Sequence, residues 1–188
     1  MRLLQLSDTH NRHSELATLP EADVIIHCGD FTEYGTEEEV LDFLNWFALL
    51  PYPHKLFVTG NHDLCLWDAE CIEDLPSGIH FLQDYSCIID GVKFFGLAYN
   101  HPESLIPDDA DVVITHEPPV MLLDESAGIH WGNAPLRKRV LEVAPRYHLF
   151  GHAHDAYGVM KVEKTVFSNG ALLDDSHKLC HCPRRFVL

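Results

Sequence analysis

Short apolar runs alternate with polar segments along this chain, and five of the runs end at a segment rich in Asp, His or Asn. Each run consists of Leu, Val, Ile or Phe at consecutive positions, which is the pattern of a buried β-strand. Because ligands bind beyond the carboxyl ends of strands in open α/β sheets, we predict one site at the edge of such a sheet. The five segments are Asp8-Thr-His10, Gly29-Asp30, Gly60-Asn-His-Asp63, Thr115-His116 and Gly151-His-Ala-His154.

The first third of the chain is predicted to alternate strands with helices. Its longest helix should begin at Thr36, because Glu39 three positions later completes a capping box and apolar residues then recur at helical spacing. Pro51 should end it, since proline cannot continue helical hydrogen bonding. This alternation favours parallel pairing with right-handed crossovers. The other elements predicted here are strands at residues 2–7, 23–28 and 54–59 and a short helix at residues 13–19.

The rest of the chain is predicted to mix hairpins with strands. Asp90-Gly91 favours a two-residue hairpin turn between its flanking apolar runs. Residues 117–133 are predicted to form a loop, and a helix from Arg137 to Ala144 should end at Pro145. Further strands are predicted at residues 79–82, 86–90, 92–98, 111–115 and 146–150, a hairpin at 157–173 and an edge strand at 186–188.

Length and charge narrow the range of partners. A chain of 188 residues without repeats or a linker predicts a single domain over residues 1–188. Its 29 acidic and 13 basic side chains give a net charge of −16, which should repel a nucleic-acid backbone. We therefore expect a small anionic substrate held by metal ions, and a nucleic-acid polymer is disfavoured as a partner.

Targeting signals and cysteines point to a cytoplasmic protein. No run approaches the ~20 apolar residues of a membrane span, and the apolar part of the N-terminus is too short for a signal peptide. The cysteines are scattered, which favours free thiols in a reducing compartment. Cys180-His181-Cys182 has the spacing of half a zinc site, but a closed site needs four ligands, so a surface loop is favoured.

Any one of the polar segments would be weak evidence, since short motifs arise by chance. Together, their order resembles that of the calcineurin-like metallophosphoesterase superfamily, whose pattern runs D-x-H, G-D, G-N-H-[DE], H and G-H-x-H, here from residue 8 to 154. The flanking segments resemble most closely the metallophosphoesterase domain-containing subgroup of small phosphodiesterases. The resemblance implies an α/β fold of two mixed β-sheets sandwiched between helices in four layers. The flanks are Phe31-Thr-Glu-Tyr-Gly35, His116-Glu-Pro-Pro119 and Tyr147-His-Leu-Phe-Gly-His-Ala-His154-Asp-Ala-Tyr-Gly158.

The resemblance also implies a pair of divalent or trivalent metal ions, whose bridging hydroxide would attack phosphorus. The residues leave open whether these are Mn, Fe, Zn, Co or Mg. By motif, Asp8, His10 and His154 would bind the first ion, Asp30 would bridge both, and Asn61, His116 and His152 would bind the second.

Three further residues are candidates for catalysis or substrate binding. The resemblance makes His62 the general acid for the leaving group, with Asp63 holding its other ring nitrogen. The alternative for His62 is that it only positions Asn61. Arg12 follows the first motif closely and is a candidate for binding a substrate phosphate, although pairing with a surface acid explains it equally well.

The leading hypothesis is a dinuclear metal-dependent phosphoesterase acting on small phosphodiesters, with cyclic nucleotides as candidates. One alternative is a phosphomonoesterase or protein phosphatase of the same fold. The other is a binding module that keeps the fold without catalysis, which the complete motif set disfavours. The sequence does not specify the physiological substrate or the oligomeric state.

Overall fold

The computed structural model describes residues 1–16 and 18–188, and its strands and helices are numbered here in chain order. The helices are α1 (Glu37–Leu49) and α2 (Ala134–Val143). The strands are β1 (Arg2–Leu6), β2 (Val24–His27), β3 (His54–Phe57), β4 (Ile79–Phe81), β5 (Tyr85–Ile89), β6 (Val92–Gly96), β7 (Val112–Ile114), β8 (Glu125–Ser126), β9 (Ile129–His130), β10 (Tyr147–Phe150), β11 (Gly158–Val162), β12 (Thr165–Asn169) and β13 (Arg184–Val187).

Two mixed sheets dominate the described residues. The first has the strand order β13-β1-β2-β3-β4 and is parallel except for the edge strand β13. The second has the order β11-β12-β10-β7-β6-β5, with parallel pairing in its centre and an antiparallel pair at each edge. This mixed α/β architecture is the one expected from the resemblance.

Three apolar clusters show how the layers stack. The central cluster combines residues of both sheets, among them Val24 and Ile26 of the first and Phe94 and Val112 of the second. A second cluster packs α1 onto the outer face of the first sheet, and a third packs α2 onto the outer face of the second. Because each sheet is covered on both faces, its inner strands are apolar throughout, which explains the continuous apolar runs in the sequence.

Helix α1 begins as predicted. The Thr36 hydroxyl accepts a hydrogen bond from the Glu39 backbone N–H at 3.3 Å, and the Glu39 carboxylate accepts one from the Thr36 N–H at 3.2 Å. The helix ends at Leu49, before Pro51. Its side chains Phe43 and Phe47 are fully buried. The helix is thereby fixed behind the strands that lead into the first three motifs.

The sequence suggested that five strands share one sheet edge, and this was wrong. Strands β1, β2 and β3 belong to the first sheet, whereas β7 and β10 belong to the second. The buried Gln5 amide joins the two sheets, since its Nε2 donates to the carbonyls of Phe150 and Ser168 at 2.9 and 3.0 Å. An apolar run predicts a buried strand but not the neighbour with which it pairs.

Three local predictions also need correction. A 3-10 helix at His13–Glu15 replaces the helix predicted for 13–19, of which residue 17 lies outside the described residues. Helix α2 starts three residues before Arg137, because the Asn133 side chain caps it by accepting from the Leu136 N–H at 2.8 Å. The loop predicted for 117–133 contains the short hairpin β8–β9, whose strands have only two residues each.

The hairpins at Asp90-Gly91 and at 157–173 and the C-terminal edge strand are confirmed. Within the described residues, no helix is both long and apolar enough to cross a lipid bilayer.

Candidate metal centre

The site is formed where strands of both sheets end. Because β1 and β2 are parallel neighbours, Asp8 and Asp30 leave the sheet side by side. Both residues have a left-handed backbone, with φ of 54° each, and so do His10 at 39° and His152 at 69°. Non-glycine residues adopt this conformation rarely, at a cost of about 1–3 kcal/mol each, and such residues cluster at functional sites. The backbone is thus bent at four motif positions.

The two aspartates are the charged centre of the site. The Asp8 carboxylate accepts a hydrogen bond from the His152 N–H at 3.0 Å, and His154 Nε2 lies 3.5 Å from Asp8 Oδ1. Asp30 Oδ1 accepts from the His62 N–H at 2.8 Å. Both aspartates are almost completely buried. Among the described residues, neither aspartate pairs with a Lys or Arg, so the two anionic groups require another source of positive charge.

Asp30 also faces histidines from both sheets. Its Oδ2 lies 3.8 Å from Nε2 of His10 and 3.3 Å from Nε2 of His116. A β-carbon at Gly60 would collide with the Asp30 carboxylate, so only glycine fits beside it. The glycine of the third motif therefore makes room for the carboxylate of the second.

The second sheet brings ring nitrogens to the same place. His116 Nε2 lies 2.8 Å and His152 Nδ1 2.9 Å from Asn61 Oδ1, and the two ring nitrogens are 3.2 Å apart. One amide oxygen and two imidazole nitrogens thus converge with Asp30 on a small volume. Oxygen and nitrogen donors of this kind suit a transition-metal ion.

Three of the histidines are fixed in orientation by backbone carbonyls. Their Nδ1 atoms lie at hydrogen-bond distance from these oxygens, which leaves Nε2 directed at the aspartates. Metal-binding histidines in proteins commonly donate their second ring N–H in this way. The pairs are His10 with Thr32 O at 3.1 Å, His116 with Cys28 O at 2.9 Å and His154 with Asp174 O at 3.0 Å.

The pKa values show how strongly the aspartates attract positive charge. Burial opposes ionisation of His116, but the nearby Asp30 raises its pKa to about 10. Burial likewise opposes ionisation of His154, whereas its contact with Asp8 raises its pKa to about 9. His10, where burial prevails, has a pKa lowered to about 4. Without a cation, protons on two histidines compensate the carboxylates.

The arrangement fits a pair of metal ions. Buried His10 Nε2 has no hydrogen-bond partner among the described residues. Three sets of side chains have ligand atoms within 4.8 Å of one another, and Asp30 belongs to two of them, as a shared carboxylate should. The sets are His10 with His154 and His177, His10 with Asp30 and His62, and Asp30 with His116 and His152. The structure therefore brings the seven predicted ligands together, while their binding of metal stays a prediction.

His62 and Asp63 are arranged differently from the prediction. His62 Nδ1 lies 2.8 Å from the backbone carbonyl of Glu33, and the Asp63 carboxylate accepts instead from the N–H groups of Asp30, Thr32 and Gly60 at 2.8–3.0 Å. The prediction that Asp63 holds the His62 ring was wrong. Asp63 points back into the protein and ties together the loops that carry Asp30 and Asn61.

Arg12 lies beside the site but is directed elsewhere. Its guanidinium donates to the backbone carbonyl of His177 at 2.7 Å and lies 3.5 Å from the Glu15 carboxylate. This arrangement does not support the predicted contact between Arg12 and a substrate phosphate, which stays a prediction. Arg12 connects the first motif to the C-terminal segment.

The sequence did not indicate the contribution of that segment. His177 stacks on His10, and Asp175 lines a cavity of about 260 Å³ in front of the aspartates. Neither residue lies in one of the five motifs, and the only sequence signal is the short buried run Ala171-Leu172-Leu173 before Asp174 and Asp175. The other residues that line the cavity are Asp30, Asn61, His62, Ser126, Ala127, Trp131, His152 and His154.

The Cys180-His181-Cys182 segment lies outside the metal-binding groups found among residues 1–16 and 18–188. Both cysteines are exposed free thiols, and His181 stacks on Tyr157 with 4.0 Å between ring centroids. This agrees with the surface loop that the sequence favoured.

Comparison with known proteins identifies the family and supports the fold. The family model described as Calcineurin-like phosphoesterase matches residues 1–156. A UPF0046 protein of Caenorhabditis elegans is 34% identical across 100% of this chain and 75% of its own length. Metallophosphoesterase domain-containing protein 1 of Homo sapiens is 32% identical across 91% of this chain and 66% of its own length. Among solved structures, a novel archaeal phosphodiesterase has the same fold, with a TM-score of 0.51, 21% identity and full coverage of both chains.

Proposed function

Because the chain belongs to the calcineurin-like phosphoesterase family, we propose that it hydrolyses small phosphodiesters with a pair of metal ions. The observation that carries this proposal is the position of Asp30, whose carboxylate faces His10 on one side and His116 on the other. A single carboxylate between two groups of ligands is what a dinuclear centre requires. The proposed ligands of the first ion are Asp8, His10, Asp30 and His154, and those of the second are Asp30, Asn61, His116 and His152.

When bound, two such ions polarise the phosphoryl oxygens and lower the pKa of a water molecule that can attack phosphorus. The protein contributes position and charge. Asp8 and Asp30 hold the positive charge in place, and the carbonyls of Thr32 and Cys28 fix the rings of His10 and His116. Because these side chains are held in place before substrate binds, they need little reorganisation during the reaction.

We assign His62 as the residue that protonates the leaving oxygen. Its Nδ1 bond to the Glu33 carbonyl fixes the ring, which lines the cavity beside Asn61. A general acid must reach the leaving oxygen with a ring N–H, and Nε2 is the atom left for that purpose. Glu33, not Asp63, is the residue that orients it.

The cavity favours a diester over a monoester. Among the described residues that line it, none is Lys or Arg, whereas Asp175 adds a further carboxylate. A phosphate monoester is more negatively charged than a diester, and sites for it commonly supply a forked cationic donor. The volume of the cavity, about 260 Å³, also suits a small molecule better than a polymer. Cyclic nucleotides remain the candidates, and we retain the proposal of a single-domain cytoplasmic protein.

The experiment is to compare bis(p-nitrophenyl) phosphate with p-nitrophenyl phosphate at one pH, using protein loaded with Mn²⁺. We expect faster hydrolysis of the diester, and no hydrolysis of either ester by the metal-stripped protein. Faster hydrolysis of the monoester would establish the monoesterase alternative. Lack of any metal-dependent turnover, with the metal ions bound, would favour a binding module.

A further inference from the structure

We propose that His177 is an additional ligand of the first metal ion, beside Asp8, His10 and His154. This inference rests on the proposed metal-dependent function. His177 lies beyond residues 1–156, which are those that the family model matches, and follows none of the motifs. Its role is assigned from its position.

The first argument is proximity. One ring nitrogen from each of His10, His154 and His177 lies within 4.8 Å of the other two. The His177 ring is stacked on that of His10, with 4.4 Å between centroids and 19° between planes, and lies 5.6 Å from that of His154. Three ring nitrogens this close to one another are within reach of a single metal ion.

The second argument is the orientation of the ring. His177 Nδ1 lies 3.1 Å from the Glu33 carboxylate, which also lies 3.7 Å from His10 Nδ1. The carboxylate accepts a hydrogen bond from Nδ1–H of His177, which leaves the Nε2 lone pair free to bind a metal ion. His10, His116 and His154 show the same arrangement with carbonyl oxygens. His177 is thus held in the manner of the predicted ligands.

The third argument is that the segment is built onto the site. The Asp174 carbonyl accepts from the His177 N–H at 2.8 Å and lies 3.0 Å from His154 Nδ1. The Asp174 carboxylate accepts from the Ser176 and Lys178 N–H groups, which closes the turn in which His177 has a φ of 53°. Arg12 holds the His177 carbonyl from the other side. The same peptide group therefore orients His154 and positions His177.

The competing explanation is that His177 only packs against His10. The His177→Phe variant separates the two, because phenylalanine keeps the planar ring and removes both nitrogens. His181→Phe is the matched control, since it makes the same change four residues later in a ring that stacks on Tyr157 away from the site. Circular dichroism of the metal-free proteins checks that the variants fold.

The measurement is titration with Co²⁺, followed by calorimetry and by the visible absorption of the bound ion. We expect His177→Phe to weaken the first binding step by more than ~100-fold, because loss of a residue that only supports a ligand already costs ~10–100-fold. The absorption should change in position and intensity, since the ion loses a nitrogen donor. The His181→Phe protein should match the unmodified protein in both readouts.

Unchanged Co²⁺ affinity and absorption in His177→Phe would overturn the inference. Should that variant fail to fold, His177→Leu decides by the same two readouts. A protein that binds Co²⁺ through His177 but hydrolyses no phosphoester would refute the proposed function alone. Hydrolysis by a protein whose Co²⁺ binding ignores His177 would refute this inference alone.

Discussion

The two sheets contribute different chemistry to one site. Loops of the first sheet supply the negative charge, in Asp8 and Asp30, with an amide oxygen from Asn61 and one imidazole, that of His10. Loops of the second sheet supply imidazoles, among them His116 and His152. The positive charge of the site would therefore come from the proposed metal ions or, without them, from protons on the second sheet's histidines. Burial opposes a proton on His116, but the nearby Asp30 raises the pKa of this ring to about 10.

Each sheet contributes one half of the site, and each half is supported by a buried histidine that contacts a threonine. These two supporting pairs are much more alike than the ligands of the two halves. In the first sheet, the buried His27 lies 3.0 Å from the Thr9 hydroxyl through Nε2, and in the second His148 lies 3.0 Å from the Thr115 hydroxyl in the same way. Each histidine lies in one strand, and its threonine belongs to the motif that follows the neighbouring parallel strand. The comparison shows that similar scaffolding can present quite different donors.

The largest effect should come from the carboxylate that both halves share. We expect Asp30→Asn to lower kcat by at least ~10³-fold, because neutralising a group fixed at the reacting centre removes electrostatic stabilisation that water cannot replace. Elemental analysis should show loss of both metal ions. If this variant kept both ions and its activity, Asp30 would not be the shared ligand.

A change in the second half should separate the two ions. We expect His152→Ala to retain the first ion and lose the second, so that metal content falls from about two to about one per chain. Activity should fall by ~10²-fold, less than for Asp30→Asn, since the anionic half is intact. Loss of both ions together would show that the halves do not bind metal independently.

Acid should destabilise both supports. Burial lowers the pKa of His27 and of His148 to about 3 from the ordinary 6.5. A lowered folded-state pKa means that this stability is fully present above pH 6.5 and is lost as the pH falls towards 3. At pH 5 each histidine should cost about 2 kcal/mol, and denaturant unfolding across this range measures it. A variant with both histidines replaced by leucine should show a flatter loss of stability with acid, and an unchanged slope would contradict this explanation.

At neutral pH the two supports should differ. The Thr115 hydroxyl also donates to the Glu117 carbonyl at 2.6 Å, whereas Thr9 Oγ1 has His27 as its partner among the described side-chain contacts. Replacing His148 with leucine leaves Thr115 a partner, but replacing His27 with leucine leaves a buried hydroxyl without one. We expect His27→Leu to reduce the free energy of unfolding by ~1–3 kcal/mol more than His148→Leu. Equal losses would show that the two pairs are energetically equivalent.

The sequence predicted well those features that depend only on neighbouring residues, such as strands, strand ends and helix caps. Each motif follows its own strand, and a strand that is buried on both faces has a continuous apolar run, so Asp8, Asp30 and His116 could be placed at strand ends. The capping box at Thr36 is equally local and is confirmed.

What the sequence missed depends on distant partners. The apolar run before His116 carries no information on which sheet accepts it. The direction of the Asp63 side chain depends on the N–H groups of Asp30, Thr32 and Gly60, which two different loops expose. His177 reaches the site because the chain returns beside His10 after the last motif. These are tertiary relations, and no periodicity of the sequence encodes them.

The smallest effect is expected from replacing Arg12, which joins the first motif to the segment that carries His177. The replacement tests whether Arg12 supports this segment or binds the substrate. If Arg12 only holds the His177 carbonyl, Arg12→Ala should leave KM for the diester unchanged and weaken the first Co²⁺ binding step by ~5-fold, since one partly buried hydrogen bond contributes ~1 kcal/mol. Steady-state kinetics and the Co²⁺ titration measure the two quantities. An increase in KM of ~10-fold with kcat retained would instead mean that Arg12 binds substrate in ground state and transition state alike. Its side chain would then have to leave Glu15 and His177, and the C-terminal segment would lose its hydrogen bond to Arg12 whenever substrate is bound.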